Sequence, residues 1–445
     1  MNRHHSVFRR PSLFFKPVMA AVLSLILGLA AIPASQASAA EPGKTDLQIQ
    51  ADAAILMDAA TGQVLYQMNA DTPLPPASMA KMMTEYLVEK AVQEGKVSWD
   101  QVVSVEENAS KQIGSRVFLA KGDKHTIEEL YKATAIASAN DAVVQLAETL
   151  AGSELAFVDI MNETAQKLGM TNTHFINTTG LERMYMPEKY RPEAEEETLM
   201  SARDAATLAY HIINEMPQVL ETSKIQSLHF RERDKDSTPN WNWMLESNKD
   251  IPNFRKFAYP GVDGLKTGHT DTSGNCFTGT ALRNGTRLIA VVMGVPGGLY
   301  DGQRFLETAK LFDYGFNNFE KRTIVEAKAV LDGLETVKVS KGKETKLRIA
   351  TAQDVTILAP KDVAAQVTDI QLELSQDPIV APVEQGDAIG QAIVTYVDPA
   401  TGETKSATIG MVAQDDIHKA SWWRLMFRGI GNFFSGLFKG IFNLF

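Results

Sequence analysis

Pro75-Pro76-Ala77-Ser78-Met79-Ala80-Lys81-Met82-Met83-Thr84 is the stretch from which the rest of the chain can be read. Proline cannot sit inside a helix, so Pro73, Pro75 and Pro76 mark a start, and apolar spacing predicts a helix over 78–94. Ser78 and Lys81 are three residues apart, on one helical face and within reach of each other. A serine hydroxyl is a poor nucleophile at neutral pH unless a base stands beside it. A lysine becomes that base when burial or a neighbouring cation lowers its pKa. The N–H groups of a helix start can also receive a developing oxyanion. On its own the pattern S-x-x-K is common and reads more simply as a helix start.

Two further elements change that balance. Ser138-Ala139-Asn140 lies between helical patterns at 127–137 and 139–150, and Lys266-Thr267-Gly268 opens a strand-like run that continues through Phe277. S-x-x-K, then Ser-x-Asn, then Lys-Thr-Gly, in that order, is the signature of serine penicillin-recognising enzymes. With Ser138-Ala-Asn-Asp-Ala142 and Gly261-Val-Asp-Gly-Leu-Lys-Thr-Gly-His-Thr270 added to the first stretch, residues 41–417 resemble a low-molecular-mass penicillin-binding protein, a D-alanyl-D-alanine carboxypeptidase of the bacterial cell wall.

The resemblance implies an α+β fold: an antiparallel sheet flanked by helices, with the active site at the edge strand carrying Lys-Thr-Gly. It implies that Ser78 attacks the carbonyl between two terminal D-alanines and that Lys81 takes its proton, with Lys266 depressing Lys81 by like-charge repulsion. Ser138 would relay a proton to the leaving amine, and Asn140 would hold the substrate amide and Lys81. Lys266 and Thr267 would bind the terminal carboxylate, and Gly268 would let the strand approach the substrate. Backbone N–H groups of Ser78 and His269 would form the oxyanion hole. Arg304, in Asp301-Gly-Gln-Arg-Phe305, aligns with an arginine that some members use near the substrate carboxylate. The substrate implied is a peptidoglycan stem ending in D-Ala-D-Ala, with β-lactams as covalent inhibitors. Cys276 reads as a buried structural thiol. His125, His174, His211 and His229 show no ligand spacing, so neither a metal nor another cofactor is expected.

Composition frames these readings. The chain has 445 residues and one cysteine, which excludes a disulfide framework and Cys-based zinc sites. The net charge of −10 argues against nucleic acid as the main partner. The charge is uneven. Residues 1–40 carry four basic residues and no acids, then an apolar run from Val18 to Ile32 and small residues around Ala37-Ser38-Ala39-Ala40. That reads as a secretory signal peptide cleaved near Ala39 or Ala40. From His418 to Phe445 there are again four basic residues and no acids, with polar positions recurring every three or four residues among Trp422, Trp423, Phe427, Ile430, Phe433, Phe434 and Phe438. A basic amphipathic helix lying flat on a membrane surface fits this pattern.

Four segments result: a signal peptide (1–40), a catalytic domain (41–319), a β-rich domain (320–417) and an amphipathic anchor (418–445). Short alternating segments at 336–339, 346–349, 355–358, 369–374, 392–397 and 406–409 predict the β domain. The earlier region holds a hairpin at 53–57 and 64–69, paired strands at 280–283 and 287–294, and a helix at 303–314. Residues 180–201 are acidic and read as a solvated loop. The location expected is the outer face of the bacterial cytoplasmic membrane. A β-lactamase would need a Glu-x-x-Leu-Asn run between the second and third motifs, and none is present. A D,D-endopeptidase cleaving cross-links would use the same bond chemistry and stays open. A non-enzymatic wall-binding protein is disfavoured by the intact motif residues.

Overall fold

Ala53–Asp58 (β1) is apolar at five of its six positions because both faces of this strand are covered. Ala53, Ile55 and Met57 face one core, while Ala54 and Leu56 face another. Thr286–Val295 (labelled β5 below) alternates in the same way, with Ile289, Val291 and Met293 on one side and Leu288, Ala290 and Val292 on the other. Alternation between two buried faces gives an unbroken apolar run instead of a hydrophobic-polar pattern. The molecule is seen in a computed structural model that describes residues 46–431. The expected signal peptide, and the part of the expected anchor beyond residue 431, lie outside the described residues.

β1, Val64–Met68 (β2), Val262–Thr270 (β3), Gly274–Arg283 (β4) and β5 form one antiparallel sheet in the order β2-β1-β5-β4-β3. β3, the strand bearing Lys266-Thr267-Gly268, is therefore an edge. The run expected to continue through Phe277 is instead two strands, turned at 271–273. Ser273 makes this turn by accepting the Thr270 N–H at 2.8 Å. One face of the sheet packs on Lys81–Gln93 (α1) and Ala202–Glu215 (α5 below) through Met82, Met83, Tyr86, Leu208 and Ile212. The other packs on Gln303–Asn318 (α6 below) through Phe305, Leu311 and Phe312.

A helical layer extends from the first face. Ile127–Ala137 (α2) opens with a capping box in which Thr126 and Glu129 satisfy each other's backbone N–H. Ser138 follows in the left-handed region, and Asn140–Ala151 (α3) and Glu154–Lys167 (α4) continue the layer. Buried glutamates interrupt this otherwise apolar packing, Glu89 on α1 among them. Glu85 on α1 is 2 % exposed and Glu154 on α4 is 3 % exposed. α5 and α6 are the helices already named.

After α6 the chain enters a β-rich unit. Phe319–Val325 (β6) pairs with Val355–Pro360 (β9). Thr336–Ser340 (β7), Lys346–Thr351 (β8), Gln366–Leu374 (β10), Ile379–Val380 (β11), Ala388–Val397 (β12) and Thr404–Ala413 (β13) form a sheet in the order β10-β12-β13-β8-β7-β11. β6 and β11 carry no clear alternation and were not expected from the pattern. The seam with the preceding unit is built around Gln63, in the β1–β2 turn. Its Nε2 donates to the Leu358 carbonyl at 2.7 Å and to Asp398 at 2.9 Å, while its Oε1 accepts from Leu358 N at 3.0 Å. Phe319, Leu358 and Ala400 join the core under α6, so apolar packing continues across the seam.

The acidic stretch around residues 182–197 is more structured than a solvated loop. Short turns at Arg183–Tyr185 and Glu188–Tyr190 are tied by guanidinium groups. Arg183 donates to the Pro192 carbonyl, and Arg191 donates to those of Met184 and Met186. The arginines stitch backbone carbonyls that a run of glutamates could not satisfy.

Candidate active site

Ser78 lies in a 3₁₀ turn, Ala77–Ala80, and the α-helix begins only at Lys81. The expected helix start at residue 78 is thus one tight turn early. Ala77 has φ +46°, an uncommon conformation for a residue with a side chain. The turn is held from two sides by glycines. A Cβ on Gly268 would stand 2.5 Å from the Pro76 carbonyl oxygen and 3.3 Å from Met79 N. One on Gly180 would stand 1.9 Å from the Ala77 carbonyl oxygen. Neither position admits a side chain without moving the serine turn.

Lys81 is fully buried, and its Nζ lies 2.8 Å from Ser78 Oγ and 2.9 Å from the Thr179 carbonyl oxygen. A carbonyl only accepts, so it occupies one N–H. A neutral amine keeps its lone pair for the serine proton. Burial, and next to it the charge of Lys266, holds Lys81 well below the ordinary lysine range; Glu85 and Asp141 pull the other way. The neutral form is therefore favoured by the site itself.

Ser138, with φ +57°, turns its hydroxyl to Lys266, whose Nζ donates to Ser138 Oγ at 2.8 Å. Burial pushes Lys266 down to about 8, against the charge of Glu85 and helped by Arg304. Asn140 donates through Nδ2 to the Ile113 carbonyl at 2.6 Å, and its Oδ1 is buried without a partner. The expected contact between Asn140 and Lys81 is not among the hydrogen bonds seen; Lys81 is held by Thr179 instead.

These side chains converge on a cleft of about 340 Å³ lined by Ser78, Ser138, Asn140, Thr267, Gly268, His269 and Arg304, with Leu181, Trp241 and Tyr300 at its margins. Lys266 stands behind Ser138 and is not on the cleft wall, which Thr267 and Arg304 help to line. Arg304 is buried to 4 % exposure and donates to the carbonyls of Gly268 and Leu299 and to Asn275 Oδ1. Burial lowers it to about 10, still cationic at neutral pH. His269 Nδ1 is buried without a partner. Cys276 sits behind the edge strand, fully buried, with its thiol pushed up to about 11 by that burial. A thiol that hard to ionise makes no nucleophile.

Sequence reasoning missed the turn that holds Lys81. Asn177 Oδ1 accepts from Gly180 N at 2.7 Å and from Thr179 Oγ1 at 3.1 Å. The Glu154 carboxylate grips Thr178 through its N–H and its hydroxyl. The string Asn177-Thr-Thr-Gly180 is a turn signal, but nothing local says that its carbonyl faces a lysine 98 residues away.

The sequence profile described as D-alanyl-D-alanine carboxypeptidase matches residues 36–297. The chain belongs to this family. The profile of the penicillin-binding protein 5 C-terminal domain matches residues 319–419. Among curated members, D-alanyl-D-alanine carboxypeptidase DacF of Bacillus subtilis is 32% identical over 92% of this chain and 97% of its own length. Among solved members, a peptidoglycan synthesis regulatory factor, PBP3, of Streptococcus pneumoniae superposes with a TM-score of 0.72 at 31% identity, covering 83% of this chain and 100% of that one. Penicillin-binding protein D2 of Listeria monocytogenes in its ampicillin-bound form is 31% identical, with a TM-score of 0.51 over 61% of this chain and 99% of that one. The family fold named in the sequence reading, an antiparallel sheet with helices and a following β domain, is the fold found here.

Proposed function

We propose that the protein is a serine D-Ala-D-Ala carboxypeptidase that removes the terminal D-alanine from peptidoglycan stem peptides. The observation that carries this reading is the 2.8 Å approach of a buried, charge-suppressed Lys81 amine to Ser78 Oγ, beside an edge strand bearing a cation, a hydroxyl and a glycine. Ser78 Oγ attacks the carbonyl carbon of the penultimate D-alanine while its proton passes to Lys81 Nζ. The oxyanion is received by the N–H groups of Ser78 and His269. On collapse the C–N bond breaks, and Ser138 relays the proton held by Lys81 to the leaving amine, so that both groups return to their starting states. Water then cleaves the ester and restores Ser78. Thr267 and Arg304 meet the terminal carboxylate, with Lys266 acting through Ser138 from behind. The unpartnered Asn140 Oδ1 accepts the N–H of the substrate amide. β-Lactams acylate the same serine, a reading supported by the ampicillin-bound relative. The test is D-alanine release from a soluble peptide ending in D-Ala-D-Ala. Release by the native chain that disappears in Ser78→Ala supports the reaction and the nucleophile; release from neither defeats the reading.

The chain acts outside the cytoplasm, held at the membrane surface by its C-terminal helix. Support comes from residues 422–431, which are helical. Trp422, Trp423 and Phe427 are 62, 54 and 65% exposed, whereas Arg428 turns inward to donate to the carbonyls of Gly342 and Lys343. A helix that leaves its aromatic residues outward suits an interface. No helix among the described residues is long and apolar enough to cross a membrane. Removing residues 421–445, which spares the Lys419–Gly342 bridge, should move the protein from sedimenting vesicles to the supernatant while release from soluble peptide stays within about twofold. A truncated form that still sediments would sink the anchor.

A further inference from the structure

Glu85 has no part in the chemistry just described, yet it is buried among the groups that perform it. It stands one turn after Lys81 on α1, at the i+4 position that shares a helical face. It is 2 % exposed and its Oε1 has no hydrogen-bond partner. An orphaned carboxylate oxygen at that depth is costly unless charge nearby offsets it.

The charged and titratable groups around it come from four elements. From α1 come Lys81 and Glu89, the latter accepting from Gln218 at 2.9 Å. From α2 comes Tyr131, whose buried hydroxyl is paired with Glu89. From α3 comes Asp141, which faces Lys81 but has its oxygens occupied by the N–H groups of Val117, Leu119 and Ala142. From β3 comes Lys266, with Arg304 beyond it. α5 also packs on α1, but its Glu215 is engaged on the far side with Tyr86 and His211. Of the acids near the two lysines, Glu85 is the one whose charge is not already spent on backbone N–H groups.

We infer that Glu85 is the resident counter-charge of the Lys81–Lys266 pair, a positioning residue that helps keep Lys266 cationic. This rests on the carboxypeptidase reading given above. The division of labour follows from the surroundings. Lys81 and Lys266 are both buried, and both lose charge for that reason; each also feels a like charge. One must remain a cation to orient Ser138 and attract a carboxylate, the other must be free to accept a proton. The charge of Glu85 supports both lysines, and Lys81 is nonetheless held low by burial and by the charge of Lys266. Burial raises Glu85 to about 7 against the pull of Lys266 and Lys81, so its charge is present above neutrality, where Lys266 begins to lose its own.

The experiment is the pH profile of kcat/KM for D-alanine release, with β-lactam acylation as a parallel readout, on the full chain. In Glu85→Gln the alkaline limb should move to lower pH by roughly one unit, because an opposite charge that supported Lys266 is gone. The acid limb should stay in place, because below neutrality Glu85 has already lost its charge. On the alkaline limb this is a loss of about tenfold, with rates near the acid limb within about twofold of wild type. Glu85→Met fills the volume with no polar group and covers the case in which a buried amide prevents folding; it should shift equally. Glu85→Asp should return the alkaline limb toward wild type. Superimposable profiles, or a uniform loss with both limbs in place, would overturn the inference. A wild-type chain that neither releases D-alanine nor is acylated at any pH would instead defeat the carboxypeptidase reading.

Discussion

Lys81→Met should lower the rate of Ser78 acylation by about 10³-fold, the scale on which a positioned general base contributes. That corresponds to roughly 4 kcal/mol of transition-state stabilisation at 1.36 kcal/mol per decade. Methionine fills much of the space, so the loss reports the amine and not a cavity. The wild-type enzyme should also lose activity as pH falls through the depressed Lys81 pKa, because the protonated amine has no lone pair for the serine proton. Stopped-flow acylation by a chromogenic β-lactam, with a thermal melt alongside, separates chemistry from folding. A folded Lys81→Met variant acylated within tenfold of wild type would remove Lys81 from the role of base.

Gly268→Ala is the second large effect. The added methyl would meet the Pro76 carbonyl at 2.5 Å and Ala77 Cβ at 3.2 Å, so either the edge strand or the serine turn must give way. Gly268 does not have a positive φ, so the effect is collision and not backbone strain. A displacement of about 1 Å between nucleophile and oxyanion donors costs on the order of 10²-fold in rate. Overpacking of this kind also destabilises by about 1–3 kcal/mol. Gly298→Ala serves as the control, since a Cβ there meets nothing within 4 Å. Equal acylation rates for the two alanine variants would show that the close approach of β3 to the serine turn has no catalytic meaning.

The three short motifs were legible because their chemistry is local. Ser78 and Lys81 share a helical turn, and Lys-Thr-Gly sits in a run that reads as strand. The flanking helices at 127–137 and 139–150 were visible from periodicity, and the β domain from its alternation. What escaped was carried by distance. Thr179 holds Lys81 across 98 residues, and Glu154 steadies Thr178 from another helix; no periodicity encodes either. The strand break at 271–273 was passed over although Asp271-Thr272-Ser273-Gly274 is itself a turn signal. Glu85 was passed over for a different reason. A glutamate in a helical pattern is ordinarily on the water side, and only its packing shows that this one is not. The acidic loop misled in the opposite direction, since its glutamates advertise solvent while two arginines impose order on its backbone.

Gln63 sets a mechanical property of the whole molecule. Both ends of one amide are engaged across the seam, and the apolar core runs on beneath it. Opening this joint would strand a buried amide and expose apolar surface to water, so it resists bending in the way a mortise does. On the proposed anchoring by the C-terminal helix, a joint of this kind would hold Ser78 at a set distance from the lipid.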